Sequence, residues 1–188
     1  MACKRYRLAG FMCLLLLLPA QVTALDCNFL KLQQQRFNSD SLELLKGMRM
    51  KHSPECLENM TAFDFPKKIV EIHQPWLATK AVHEILHGFF GILSSDLLQT
   101  SWAAAHRERF LNMLYAQTES IERCLAEAKR TRRRKDEWKN KLRLRKYFQR
   151  IRSFLKEKEH SRCSWESVKR ELWTSFVYIN ILTKRMAR

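Results

Sequence analysis

An all-α bundle is expected from this chain, for three reasons. Its apolar residues recur at intervals of three and four along several long stretches, the spacing of one helical face. Glycine and proline number only 4 each in 188 residues, too few for the turns that an all-β sandwich needs. Three of the prolines, Pro54, Pro66 and Pro75, fall in one segment, which marks a long connection between helices.

The first residues stand outside the fold. Lys4, Arg5 and Arg7 precede an apolar run over 8–18, then Pro19 and the Val22-Thr23-Ala24 cleavage pattern. This is the plan of a secretory signal peptide over 1–24, which leaves 25–188 as one secreted domain. A membrane anchor would need about 20 apolar residues, and no stretch of the chain reaches that.

Five helices are expected. The first covers 26–50, with Leu32, Leu42, Leu45 and Met48 on its buried side and a break or second cap near Asn38, Ser39 and Asp40. A long loop without sustained periodicity covers 51–76, pinned to the bundle by Phe63, Phe65 and Ile69 and tied by Cys56. It holds the single N-x-[ST] sequon, Asn59-Met60-Thr61, an expected glycan site. The second helix covers 77–95, with Thr79 as N-cap and Val82, Ile85, Leu86, Phe89, Phe90 and Leu93 on one side. The third covers 101–128 and buries Phe110, Met113, Leu114, Ile121, Cys124 and Leu125; the fourth covers 139–159 and buries Leu144, Phe148, Ile151 and Leu155. The last covers 163–183. Trp165, Val168, Leu172, Phe176 and Ile179 form its core stripe, while Trp173, Val177 and Ile181 form a second stripe bordered by Lys169, Arg170 and Lys184. A second apolar stripe ringed by cations points either to deeper burial or, the preferred reading, to a protein-binding surface.

His83-Glu84-Ile85-Leu86-His87 matches H-E-x-x-H, the zinc-protease pattern. The extended form needs a third ligand six residues after the second histidine, and Leu93 stands there. Both histidines fall on the flank of the helix, so no metal, cofactor or enzymatic activity is expected. Loss of the leader removes Cys3 and Cys13 and leaves Cys27, Cys56, Cys124 and Cys163, an even number in an oxidising compartment. Two disulfides are expected, and spacing alone allows all three pairings.

The formal net charge is +16, and the cations crowd between 129 and 152. The run Lys-Arg-Thr-Arg-Arg-Arg-Lys over 129–135 is expected to be a solvated loop, with heparan sulfate as its candidate partner. Within it, Arg130-Thr131-Arg132-Arg133 has the form of a dibasic processing site. Nucleic acid is not expected, because no zinc finger, RNA-recognition motif or basic groove interleaved with aromatics is visible.

Cys163-Ser164-Trp165-Glu166-Ser167-Val168-Lys169 resembles the C-A-W-E-x-V-R signature of the type I interferons. Arg145-Lys146-Tyr147-Phe148-Gln149-Arg150-Ile151, followed by Leu155-Lys156-Glu157-Lys158, resembles that family's preceding helix. Phe63-Asp64-Phe65-Pro66 is similar to its F-x-F-P loop, and Val82-His83-Glu84-Ile85 to its second helix. The resemblance covers essentially all of 25–188, and Leu25-Asp26-Cys27-Asn28 resembles the divergent epithelial-type members as much as the alpha ones.

This resemblance implies a five-helix cytokine bundle with a long overhand first loop, and the pairing Cys27–Cys124 and Cys56–Cys163. It implies a monomeric ligand that brings together both chains of the interferon alpha/beta receptor and activates JAK-STAT signalling. Leu57, Lys169, Arg170 and Trp173 would meet the higher-affinity chain, and Phe90, Tyr115 and Arg145 the other. Met60 and Thr174 stand where the family often has basic residues, so burial of Trp173 and Val177 is expected to compensate.

Overall fold

The computed structural model describes residues 27–47, 56, 61–94, 104–127 and 134–186. After one 3-10 turn at Cys27–Phe29 come six helices: α1 (Leu30–Gly47), α2 (Lys67–Val70), α3 (Pro75–Leu93), α4 (Ala104–Glu127), α5 (Arg134–Glu157) and α6 (Arg162–Thr183). Among the described residues there is no strand. The five long helices are the five expected, and the described part of the connection between the first two includes the short turn α2. The leader, the sequon at Asn59, Leu57, Met60 and most of the basic run lie outside the described residues.

α3 is the central helix and packs against α4, α5 and α6, while α1 closes the bundle against α4 and α6. Its expected apolar side is buried, Phe90 excepted, which lies half-buried at the margin. It starts earlier than the periodicity indicated. Gln74 is the N-cap and Pro75 occupies the first turn, where its missing N–H costs nothing. Thr79 is not the cap; its hydroxyl donates back to the Pro75 carbonyl at 3.0 Å. α5 likewise begins earlier, so Arg134 and Lys135 belong to a helix and not to a loop.

Of the residues of α1 expected inward, Leu45 is buried and Leu42 half-buried against the core, but Leu32 is not. Leu32 is 54% exposed, whereas Leu30, Gln34, Phe37, Asn38, Ser41 and Leu45 are buried at helical spacing. Nothing interrupts the helix at Asn38. Instead a buried hydrogen-bond chain crosses three helices. Gln117 Nε2 donates to Gln34 Oε1 (2.8 Å), Gln34 Nε2 to Asn38 Oδ1 (2.7 Å), and Asn38 Nδ2 to Thr183 Oγ1 (3.0 Å). Buried amides left unpaired would be costly, so this layer fixes how α1, α4 and α6 align.

Both disulfides are those implied by the resemblance: Cys27–Cys124 and Cys56–Cys163, closing sequence separations of 97 and 107 residues. Each removes chain entropy from the unfolded state, roughly 4–5 kcal/mol in the loop-closure model. The second seats Cys56, 3% exposed, against the first turn of α6.

The two histidines of α3 stack with ring centroids 6.0 Å apart. His87 is exposed, and His83 lies half-buried with both ring nitrogens covered and without a hydrogen-bond partner. Among the described residues, no cluster of three His, Cys, Asp or Glu could hold a metal ion. Burial lowers the His83 pKa from 6.5, against the opposing pull of Glu84. The unfolded chain therefore takes up a proton just below that value while the folded one resists it, and stability falls as pH drops through that window. In urea melts from pH 7.5 down to 5.5, wild type is expected to lose stability relative to His83→Gln; parallel curves would remove His83 as the cause.

Two glycines of α3 have opposite surroundings. A methyl group on Gly88 would overlap the Phe148 ring of α5, and that ring is itself buried. Gly91 is exposed, with nothing near the place its Cβ would occupy. Gly88→Ala is expected to destabilise by about 1–3 kcal/mol through overpacking. Gly91→Ala should stabilise by about 0.5–1 kcal/mol through helix propensity. Equal unfolding midpoints for the two variants would contradict this reading of the α3–α5 contact.

Candidate functional site

Two solvent-facing patches carry the expected binding residues. The first is the outer side of α6. Trp165, Val168, Leu172, Phe176, Ile179 and Leu182 are each 1% exposed or less, so the helix cannot roll on the bundle. What remains outside is Arg170, exposed, Trp173 and Ile181, half-buried, and Val177, 44% exposed. Lys169 is only 8% exposed and belongs to the edge of the patch. Thr174 directs its hydroxyl to the Arg170 carbonyl of its own helix at 3.1 Å. The second apolar stripe is therefore partly open and partly buried, and of its expected cationic border Arg170 and Lys184 are exposed while Lys169 is not.

A strap over 61–66 borders this patch. Phe63 and Phe65 are buried, as expected. Phe63 meets Phe154 edge-on at 5.0 Å, and Phe65 sits between Tyr147 (5.2 Å) and Tyr178 (4.6 Å). The Arg150 guanidinium donates to the Phe63 carbonyl (3.1 Å) and the Asp64 carbonyl (3.0 Å). Asp64 adopts a left-handed conformation, φ 50°, where the strap turns. At its upstream end the Thr61 N–H approaches Ser167 Oγ, and Arg170 reaches the Thr61 carbonyl, both at 3.4 Å. At the far end, Arg185 donates to the carbonyls of Val70 and Ile72.

Beneath the strap lies a polar group that the periodicity did not reveal. The Tyr147 hydroxyl donates to Glu171 Oε1 at 2.8 Å and lies 3.1 Å from Ser175 Oγ. Burial pushes the Glu171 carboxyl above its usual range, with the Tyr147 hydrogen bond holding it back. Burial, and then the adjoining carboxylate, push the Tyr147 phenol up. Such a phenol stays protonated and acts as a fixed donor joining α5 to α6. A tyrosine one position before Phe148, beside an otherwise wholly apolar stripe, was the available signal.

The second patch straddles α3 and α4. Phe90, half-buried, meets Tyr115, 55% exposed, with ring centroids 5.9 Å apart. Arg145 is exposed on α5, another neighbour of α3. The fold thus brings Phe90 and Tyr115 into contact and places Arg145 on the adjoining helix.

The interferon alpha/beta domain family model matches residues 30–186. Interferon type A1/A2 of Gallus gallus is 33% identical over 177 residues, 93% of this chain and 91% of that protein. Interferon kappa of Homo sapiens is 30% identical over 185 residues, 90% of this chain and 89% of that one. Among solved structures, zebrafish interferon 1 superposes with a TM-score of 0.68 at 21% identity, covering 82% of this chain and 96% of its own; it shares the fold. The helical order, the two disulfides and these matches have one reading: the chain belongs to the interferon alpha/beta family and is a type I interferon, a cytokine and not an enzyme.

Proposed function

We propose that the chain is a secreted ligand that binds both chains of the interferon alpha/beta receptor and draws them together. Their approach activates JAK-STAT signalling and an antiviral, immunomodulatory response. The observation that carries this reading is a pair of solvent-facing aromatic patches on different helices, Trp173 beside Val177 and Arg170 on α6, and Phe90 against Tyr115 across α3 and α4. A ligand that bridges two different chains needs two such surfaces on a rigid body.

In this reading the outer side of α6, with Arg170, Trp173 and Val177 and with Lys169 at its edge, meets the higher-affinity chain. Leu57 joins it, since Cys56 is crosslinked to the start of α6. Trp173 and Val177 supply apolar area where Met60 and Thr174 provide no charge. Phe90, Tyr115 and Arg145 meet the other chain. The molecule acts as a monomer, cleaved after residue 24 and glycosylated at Asn59. Among the described residues, no helix is long and apolar enough to cross a membrane.

Oxidised protein spanning 25–188 is expected to bind both receptor ectodomains of a matching species. Trp173→Ala should weaken binding to the higher-affinity chain by about 30-fold or more, the loss of about 2 kcal/mol typical of a central aromatic. Val177→Glu, at an exposed position, should act in the same direction without disturbing the core. Tyr115→Ala should impair the other chain alone. Surface plasmon resonance with each ectodomain reads these effects. A folded wild type that binds neither chain would overturn the proposal, and unchanged binding by both α6 variants would remove the assigned face.

A further inference from the structure

A single stripe runs along the outer side of α5. Trp138, Leu142, Arg145, Gln149, Arg152 and Lys156 recur at steps of 4, 3, 4, 3 and 4, and all six are exposed. Trp138 is the most open large apolar residue described, at 62%, with Leu142 next to it at 41%. At a rise of about 1.5 Å per residue the stripe is about 27 Å long. Lys135, Lys139 and Lys146, also exposed, flank it, and no acid interrupts it.

The cations of α5 divide into two groups. Lys141 pairs with Glu84 of α3 at 3.4 Å, and Arg150 holds the strap. Among the described residues, Arg145, Lys146, Arg152 and Lys156 form no ion pair. They face solvent as a linear array of charge, which attracts polyanions.

The form of the stripe selects among polyanions. A helix that lies in a bilayer surface needs a broad apolar face. The apolar face of α5, Leu144, Tyr147, Phe148, Ile151 and Leu155, is closed into the core. Single-stranded nucleic acid binds on successive aromatic platforms, and Trp138 is the lone aromatic of the stripe. A linear sulfated polysaccharide requires spaced cations and at most an occasional flat ring beneath a sugar, and both are present. We infer that a sulfated glycosaminoglycan lies along α5, its sulfates on Arg145, Arg152 and Lys156 and one sugar ring over Trp138.

One consequence rests on the receptor reading above. Arg145 belongs to the glycan stripe and to the face assigned to the lower-affinity chain. A glycan-bound molecule therefore has that face covered while the outer side of α6 stays open. It would be held at a cell surface or matrix and be able to engage one chain only.

Binding of oxidised 25–188 to immobilised heparin tests the stripe. At about 0.15 M NaCl, Arg152→Glu/Lys156→Glu is expected to bind about tenfold more weakly than wild type, because two sulfate contacts and their released counterions are lost. Lys67→Glu/Lys68→Glu, two exposed positions on α2 with the same charge change, should stay within about twofold of wild type. Trp138→Ala should weaken binding and leave the salt dependence unchanged. Equal losses in both charge variants would reduce the effect to net charge and overturn the proposal. Tighter binding to phosphatidylserine vesicles or to single-stranded DNA than to heparin would also overturn it. Binding of the same proteins to both receptor chains separates the two readings. An intact stripe with no receptor binding sinks the receptor reading alone, and the converse sinks the stripe alone.

Discussion

The contact of the Phe148 ring with the bare backbone at Gly88 sets how closely α5 approaches the central helix. Much of the molecule hangs on that approach. One residue earlier, Tyr147 crosses to Glu171 and Ser175 of α6. Two residues later, Arg150 grips the carbonyls of Phe63 and Asp64. Three residues within four consecutive positions thus join α3, α6 and the strap. A bulkier residue at 88 would lift the ring and with it the donors on either side, because dense cores transmit displacement.

The inner and outer sides of the same helices serve separate ends. On α6, residues with almost no exposure lock the helix, while Trp173 and Val177 on its far side remain open to solvent. On α5, the apolar stripe closes the core, and Trp138 and Leu142 remain outside among cations. Exposed aromatics on a rigid helix lose little entropy when a partner covers them. The aromatic contact between Phe90 and Tyr115 holds those two rings in the same preorganised manner.

Much of this was legible in the sequence. The core stripes of α3, α5 and α6 emerged from spacing alone because their apolar residues are nearly uninterrupted. α1 did not, because Gln34, Asn38 and Ser41 share the buried side with Leu30, Phe37 and Leu45, and Leu32 diverted the pattern to the outside. Polar residues on an inward face are readable only once their partners, here Gln117 and Thr183, are known. Thr79 looked like a cap from composition, whereas Pro75 had already opened the helix. The disulfide pairing came from family resemblance, since spacing distinguishes none of three pairings. The clamp by Arg150 was hidden among many cations, and only its distance to two carbonyls separates it from them.

The two disulfides overlap along the chain: one spans 27 to 124 and the other 56 to 163. As a covalent graph, everything from Cys27 to Cys163 is closed into linked rings. A single backbone cut anywhere between those residues, the dibasic Arg130-Thr131-Arg132-Arg133 segment included, releases no fragment. Beyond Cys163 the graph becomes a linear tail, and the tail is α6. The helix that presents Arg170, Trp173 and Val177 is therefore retained after cleavage by non-covalent contacts alone. An extracellular protease that reached the first turn of α6 beyond Cys163 would remove the covalent link between the two patches, while one that cut the basic segment would leave it intact.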